Sequence, residues 1–138
     1  MPAAAAEKSD AGAEAFVRWW VDLINYGAAT GDARTLKSLM DDSCTGCGGI
    51  VRAITEPYVK GGHIEGGEWV LGRLRPLPLD YGADWAAAAK SRTEPEVVFD
   101  GTGAATKYPG GAFYLYAYTA WTGSQWSMTW VRTPAAAS

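Results

Sequence analysis

The hydrophobic period of this chain changes once, at Gly61-Gly62, and that change restricts the fold more than any other feature. Before it, apolar residues recur at helical spacing; after it, β-branched and aromatic residues come in short runs broken by Gly and Pro. Phe16, Trp19, Trp20, Leu23, Ile24 and Gly27 share one helical face, while Glu14, Arg18, Asp22 and Asn25 take the other, with Glu14 and Arg18 in the favourable i, i+4 orientation. Thr30-Gly31-Asp32 ends this helix. Asp32 is placed to cap a short second helix carrying Leu36, Leu39 and Met40. A third helix begins around the cysteines and buries Ile50, Val51, Ile54 and Tyr58. Pro57 kinks its last turn, and Gly61-Gly62 stops it.

Beyond Gly62 the pattern predicts strands. In His63 to Leu74 the glycines Gly66-Gly67 and Gly72 mark bulges or a bend where a strand curves. Arg75 to Asp80 is excluded from a central strand, because Pro76 and Pro78 lack ladder donors. Trp85 to Asp100 reads as an extended, irregular strand despite the helix-forming run Ala86 to Ala89, with Pro95 arguing against a continuous central one. Phe113 to Trp121 and Gln125 to Thr133 form a long antiparallel hairpin turned at Gly123-Ser124. On it Tyr114, Tyr116 and Tyr118 share one face and Phe113, Leu115 and Ala117 the other. Three N-terminal helices and about four antiparallel strands give an α+β fold, helices packed on one face of the sheet.

With 138 residues the chain is one domain in length, and 48% apolar content with 12% aromatic is ample for a core. The Ala-rich residues 1–12 read as a linker and 134–138 as a tail, leaving a folded body over 13–133. Twelve basic against fifteen acidic residues, with no basic run, argue against a nucleic-acid partner. No stretch reaches membrane-spanning length, and the N-terminus lacks a secretory signal pattern.

The runs Gly12 to Tyr26, Thr30-Gly31-Asp32, Cys44-Thr45-Gly46-Cys47, Gly61 to Trp69 and Tyr108-Pro109-Gly110-Gly111 resemble those of an uncharacterised family of actinobacterial cell-envelope lipoproteins. That resemblance implies a nuclear transport factor 2-like cone, in which helices pack inside a strongly curved antiparallel sheet. It also implies an extracytoplasmic domain joined by an Ala/Pro/Ser-rich linker to a lipid anchor, the only route to a membrane. The lipobox cysteine of the family is not among these residues.

Cys44 and Cys47 form a C-x-x-C at a helix start, where the backbone donors and helix dipole favour thiolate. In the oxidising envelope that the resemblance implies, the leading reading is a disulfide tightening the junction of the second and third helices. A thiol-redox centre is the second reading, although no strand precedes the motif. A metal site is the third, short of ligands with only Cys44, Cys47 and His63, plus Asp41 and Asp42. His63, the only histidine, reads as a turn or strand-edge residue before a general base. Glu65 and Glu68, three apart on a strand, point to opposite faces unless a bulge at Gly66-Gly67 corrects them. Gly101-Thr102-Gly103 reads as a turn, lacking the length and lysine of a phosphate loop.

For a pocket between helices and concave sheet the candidates are Trp19, Tyr26, Trp69, Tyr116 and Tyr118. Asp32 is set aside for its capping role, and the aromatics also have a packing role. Trp121, Trp126 and Trp130 lie on or beside the hairpin, where an exposed aromatic strip suits a protein partner, a glycan or self-association. The expectation is a non-catalytic domain binding a small apolar ligand, with no cofactor or metal and with a homodimer through the sheet as a candidate assembly. The alternatives are a small-molecule enzyme of isomerase or hydrolase type working in the cone, and a dithiol redox protein using Cys44 and Cys47.

Overall fold

The computed structural model describes residues 1–136 and confirms the α+β segregation, with three α-helices set against curved sheet. Helix α1 (Asp10–Thr30) begins where Ser9 accepts the Gly12 N–H at 2.9 Å and ends at Gly31, whose left-handed φ of 79° lets its N–H reach Gly27 O. Its buried stripe keeps a helical period but is turned from the face read in the sequence: Phe16, Trp20, Ile24 and Gly27 are buried as expected, Val17, Val21 and Ala28 join them, and Trp19 and Leu23 are half-buried. Asn25 departs from that reading. It is half-buried instead of facing solvent.

The first twelve residues, expected as a linker, belong to the folded body. A short 3-10 helix (Ala3–Ala6) buries Ala5 completely, and Trp126 Nε1 donates to Glu7 O at 2.9 Å. Gly12 permits this crossing, because a Cβ there would lie 2.0 Å from Glu7 O. The expected tail is likewise engaged over 134–136. Tyr114 N–H donates to Pro134 O and Ala136 N–H to Ala112 O, extending the last strand's pairing; 137–138 lie outside the described residues.

Helix α2 (Arg34–Ser38) is shorter than expected, leaving Leu39 just past its end. Met40 opens a strand that the local pattern did not predict, β1 (Met40–Thr45). Helix α3 (Cys47–Val59) follows, with Pro57 in its last turn as expected. The remaining strands are β2 (His63–Gly66), β3 (Trp69–Val70), β4 (Arg75–Pro76), β5 (Trp85–Thr93), β6 (Glu96–Phe99), β7 (Ala105–Tyr108), β8 (Gly111–Trp121) and β9 (Trp126–Arg132). Nine strands among the described residues thus replace the expected four or so. The Ala86 to Ala89 run is central strand, not helix, and the small side chains of Ala87 and Ala89 fit under the helices beside β8.

The larger sheet runs β1-β9-β8-β5-β3, with β4 also on β5, and the smaller runs β2-β6-β7. The ladders are antiparallel except for β1, which pairs parallel with β9. The two sheets are one ribbon broken at a common level. β2 gives way to β3 at Gly66-Gly67, β5 to β6 at Glu94-Pro95, and β7 to β8 at Pro109-Gly110. Gly66 and Gly67 take φ of 72° and 76°, and Pro95 and Pro109 offer no N–H to a ladder. The bend expected at the paired glycines therefore passes through three strands. Phe113, Leu115, Ala117, Ala87, Ala89, Met128 and Val131 line the face that meets α1.

Candidate functional site

The bend leaves a cleft of about 430 Å³ between the sheets and the helices. Ile24 and Ala28 of α1 form one wall and Ile50, Ala53 and Ile54 of α3 another. Gly67, Trp69, Thr93 and Glu96 close it along the bend. The α1–α3 crossing is close because Gly27 has no Cβ; one built there would lie 2.7 Å from Ile54 Cδ1. Tyr58 ties the helices to β2, its hydroxyl donating to Ala28 O and accepting the Ile64 N–H.

Trp69 is held at the mouth from two sides. Asn25 Oδ1 accepts the Trp69 N–H at 2.8 Å, and Asn25 Nδ2 donates to Trp69 O at 3.0 Å, so one amide side chain clamps the strand to α1. The indole meets Phe113 edge-on with ring centroids 5.0 Å apart. Glu96 begins β6 with its side chain over Gly67, where a Cβ would sit 2.8 Å from Glu96 Cδ. Burial pushes the Glu96 carboxyl above the usual carboxylate range, and no ion pair among the described residues includes it. A largely apolar cleft with one half-buried carboxyl can hold a small apolar molecule and orient a donor on it.

The sequence candidates divide. Trp69 lines the cleft; the other four do not. Trp19 packs half-buried against Phe16, and Tyr26 is 53% exposed on α1. Tyr116 and Tyr118 project from the opposite side of the sheet, since the alternation places Leu115 and Ala117 inward. Glu96 and Asn25 were missed. The sequence signal that bears on Glu96 is its place immediately after Pro95, at the break between strands.

Cys44 and Cys47 are joined in a disulfide that bridges the end of β1 to the first turn of α3. Gly46 between them has a φ of 92°, and a Cβ there would meet Val131 O at 2.0 Å. The crosslink thus fixes the start of the helix whose next turn walls the cleft. His63 stacks on Phe99 at 4.5 Å with Nε2 3.3 Å from Glu65 Oε1, exposed on β2 and apart from the cysteines. Among the described residues no three His, Cys, Asp or Glu side chains converge as a metal site. Asp32 accepts the Arg34 N–H at 3.1 Å and its guanidinium at 2.9 Å; these hydrogen bonds lower its carboxyl to about 2. No helix among the described residues is long and apolar enough to cross a membrane.

Residues 1–132 match the family of unknown function DUF6318. No curated protein matches the chain. Among solved structures, the intermembrane space region of the chloroplast protein ARC6 is 15% identical with a TM-score of 0.59, covering 94% of this chain and 99% of that one. A putative aromatic ring hydroxylase from Novosphingobium aromaticivorans is 10% identical with a TM-score of 0.58, covering 88% and 87%. An NTF2-like protein with a cystatin-like fold from the same species is 15% identical with a TM-score of 0.42, covering 93% and 90%. The first two share this fold.

Proposed function

The chain belongs to the family of unknown function DUF6318, and from that premise we propose that it is a non-catalytic domain that takes a small, mainly apolar ligand into the cleft at the bend. The observation that carries this reading is the composition of the walls. Ile24, Ala28, Ile50, Ala53, Ile54 and Trp69 surround a space of small-molecule size, and Glu96 supplies one acceptor or proton donor. Beside Glu96, the side-chain polar groups that line this cleft among the described residues are the hydroxyls of Thr93 and Thr133 and the Trp69 indole, none of them an ordinary general base, which favours binding over acid–base catalysis.

The wider frame of the reading is a nuclear transport factor 2-like cone in an actinobacterial cell-envelope lipoprotein, anchored by lipid and working outside the cytoplasm. The helices inside a bent sheet support the cone. The disulfide is consistent with an oxidising compartment.

The test uses N-phenyl-1-naphthylamine, an apolar fluorophore with one N–H donor. It should brighten on binding the full chain and quench part of the tryptophan emission. Ala53→Trp, which places an indole at the partly exposed cleft wall, should weaken binding at least about tenfold with the far-UV spectrum unchanged. Equal affinity in wild type and Ala53→Trp, or no binding by either, refutes the proposal.

A further inference from the structure

The side of the large sheet that faces away from the helices is also built: at one end Tyr81 packs over Tyr118 and Trp130 and Ala86 is 2% exposed, while Tyr114, Lys90, Arg75 and Arg132 at the other stand exposed. Pairing register places Arg75, Ala88, Tyr116 and Arg132 in one row across β4, β5, β8 and β9. The adjacent rows are Ala86, Tyr118 and Trp130 on one side and Lys90 with Tyr114 on the other. The half-buried methyl of Ala88 forms a low floor beside a rail of three tyrosines, and Ala86 is closed off at the Tyr118–Trp130 end. Tyr81 stacks on Trp130 at 4.4 Å with an interplanar angle of 2°, and Tyr118 meets both rings edge-on, which fixes the aromatic end of the shelf. Tyr81 and Tyr114 remain 47% and 37% exposed.

The middle of this face is cationic although the chain carries a net charge of −3: β4, β5, β8 and β9 contain Arg75, Lys90, Arg92 and Arg132 and no Asp or Glu, while the flanking β1 carries the exposed Asp41 and Asp42. Among the described residues, the one of these four with an ion pair is Arg92, bound to Glu94. The nearby carboxylates Asp80 and Asp84 sit in the loop at the Trp130 end, and Asp84 accepts the Trp121 N–H.

We propose that this face binds an anionic polysaccharide, with sugar rings lying on the Tyr rail and carboxylates or sulfates held by Arg75, Lys90 and Arg132. Sugar rings present apolar C–H faces that suit aromatic faces, and guanidinium forks match planar anions. A second copy of the chain fits less well, because a twofold pairing of these faces sets the cation rows against each other. Single-stranded nucleic acid shares the stacking and the charge, and titration with oligothymidylate separates it from a glycan. This inference is independent of the cleft.

The experiment is calorimetric titration of the full chain with oligogalacturonate and with heparin-derived oligosaccharides, over a series of salt concentrations. At least one should bind, more weakly as salt rises, with neutral dextran oligomers at least about tenfold weaker. The double variant Arg75→Gln/Arg132→Gln and the single variant Tyr116→Ala, both at exposed or half-exposed positions, should each weaken binding about tenfold or more. Ala53→Trp should leave it unchanged. Binding of neither anionic probe, undiminished binding by both variants, or tighter binding of oligothymidylate overturns the proposal. So does a dimer in sedimentation that Tyr116→Ala dissociates.

Discussion

Replacing Asn25 by Ala tests how the cleft mouth is held. The substitution removes the two bonds that join α1 to Trp69, at 2.8 and 3.0 Å, and leaves a peptide N–H and C=O without those partners. A net hydrogen bond contributes about 1 kcal/mol, and an orphaned buried partner costs about 1–3 kcal/mol. Trp69 is half-buried, so water reaches part of this peptide and the two losses together come to about 2–3 kcal/mol. Ala gains roughly 0.6 kcal/mol over Asn inside a helix, leaving a net loss of about 1.5–2.5 kcal/mol. For 138 residues the unfolding entropy is about 0.3 kcal/mol per kelvin, so the melting temperature should fall by about 5–8 °C. Calorimetry measures this, with Asp22→Ala on the exposed side of the same helix as the control for helix propensity. Naphthylamine affinity should fall in parallel, because the indole is no longer fixed. A stability change no different from that of Asp22→Ala, with affinity intact, would refute the clamp.

Three further outcomes are expected. Because folding raises the Glu96 pKa above its ordinary 4.5, that group's contribution to stability is full below 4.5 and is lost as pH rises through the higher folded value. Urea midpoints of wild type should therefore fall relative to Glu96→Gln as pH rises above 4.5, and a pH-independent difference contradicts the assignment. The Cys44→Ser/Cys47→Ser variant should lose at most about 2 kcal/mol, since the bridge closes a very short loop, with hydrogen-exchange protection falling chiefly in the first turn of α3. Asp32, held at about 2, contributes stability above its unfolded value of 3.8 that disappears as pH falls through about 2. Arg34→Ala should return its NMR titration midpoint toward 3.8, and an unmoved midpoint shows that the guanidinium is not the cause.

The helices and the closing hairpin were legible because their partners lie nearby in the chain and their periods are unambiguous. The curvature was legible at Gly66-Gly67, where two adjacent glycines inside a strand have few other uses. Strand β1 was not, because Met-Asp-Asp-Ser-Cys-Thr carries no strand period and its partner β9 lies over eighty residues away. The N-terminal segment was missed because Ala5 offers a single methyl, and its burial depends on a backbone crossing that Gly12 alone hints at. For the site, alternation separated Tyr116 and Tyr118 from Leu115 and Ala117 but did not specify which set would meet the helices. The hydroxyls decide it, since three tyrosines on the inner face would each bring a polar group into a core with few partners to satisfy it. Glu96 looks like surface residue in the string Glu94-Pro95-Glu96, and only the folded bend turns it over Gly67.

Each margin of the sheets is blunted in its own way. β1 ends the large sheet on one flank with Asp41 and Asp42 exposed, and the other flank finishes in β3 and β4, two residues each, with Pro76 in the latter. In the small sheet, β2 spans four residues with His63 and Glu65 exposed, and β7 carries Lys107 and runs into Pro109. Short, charged or proline-stopped borders give a foreign segment no long row of open donors and acceptors to zip onto. A partner that docks by adding a strand therefore finds no long open edge among the described residues, and the larger surfaces left to it are the cleft and the broad sides.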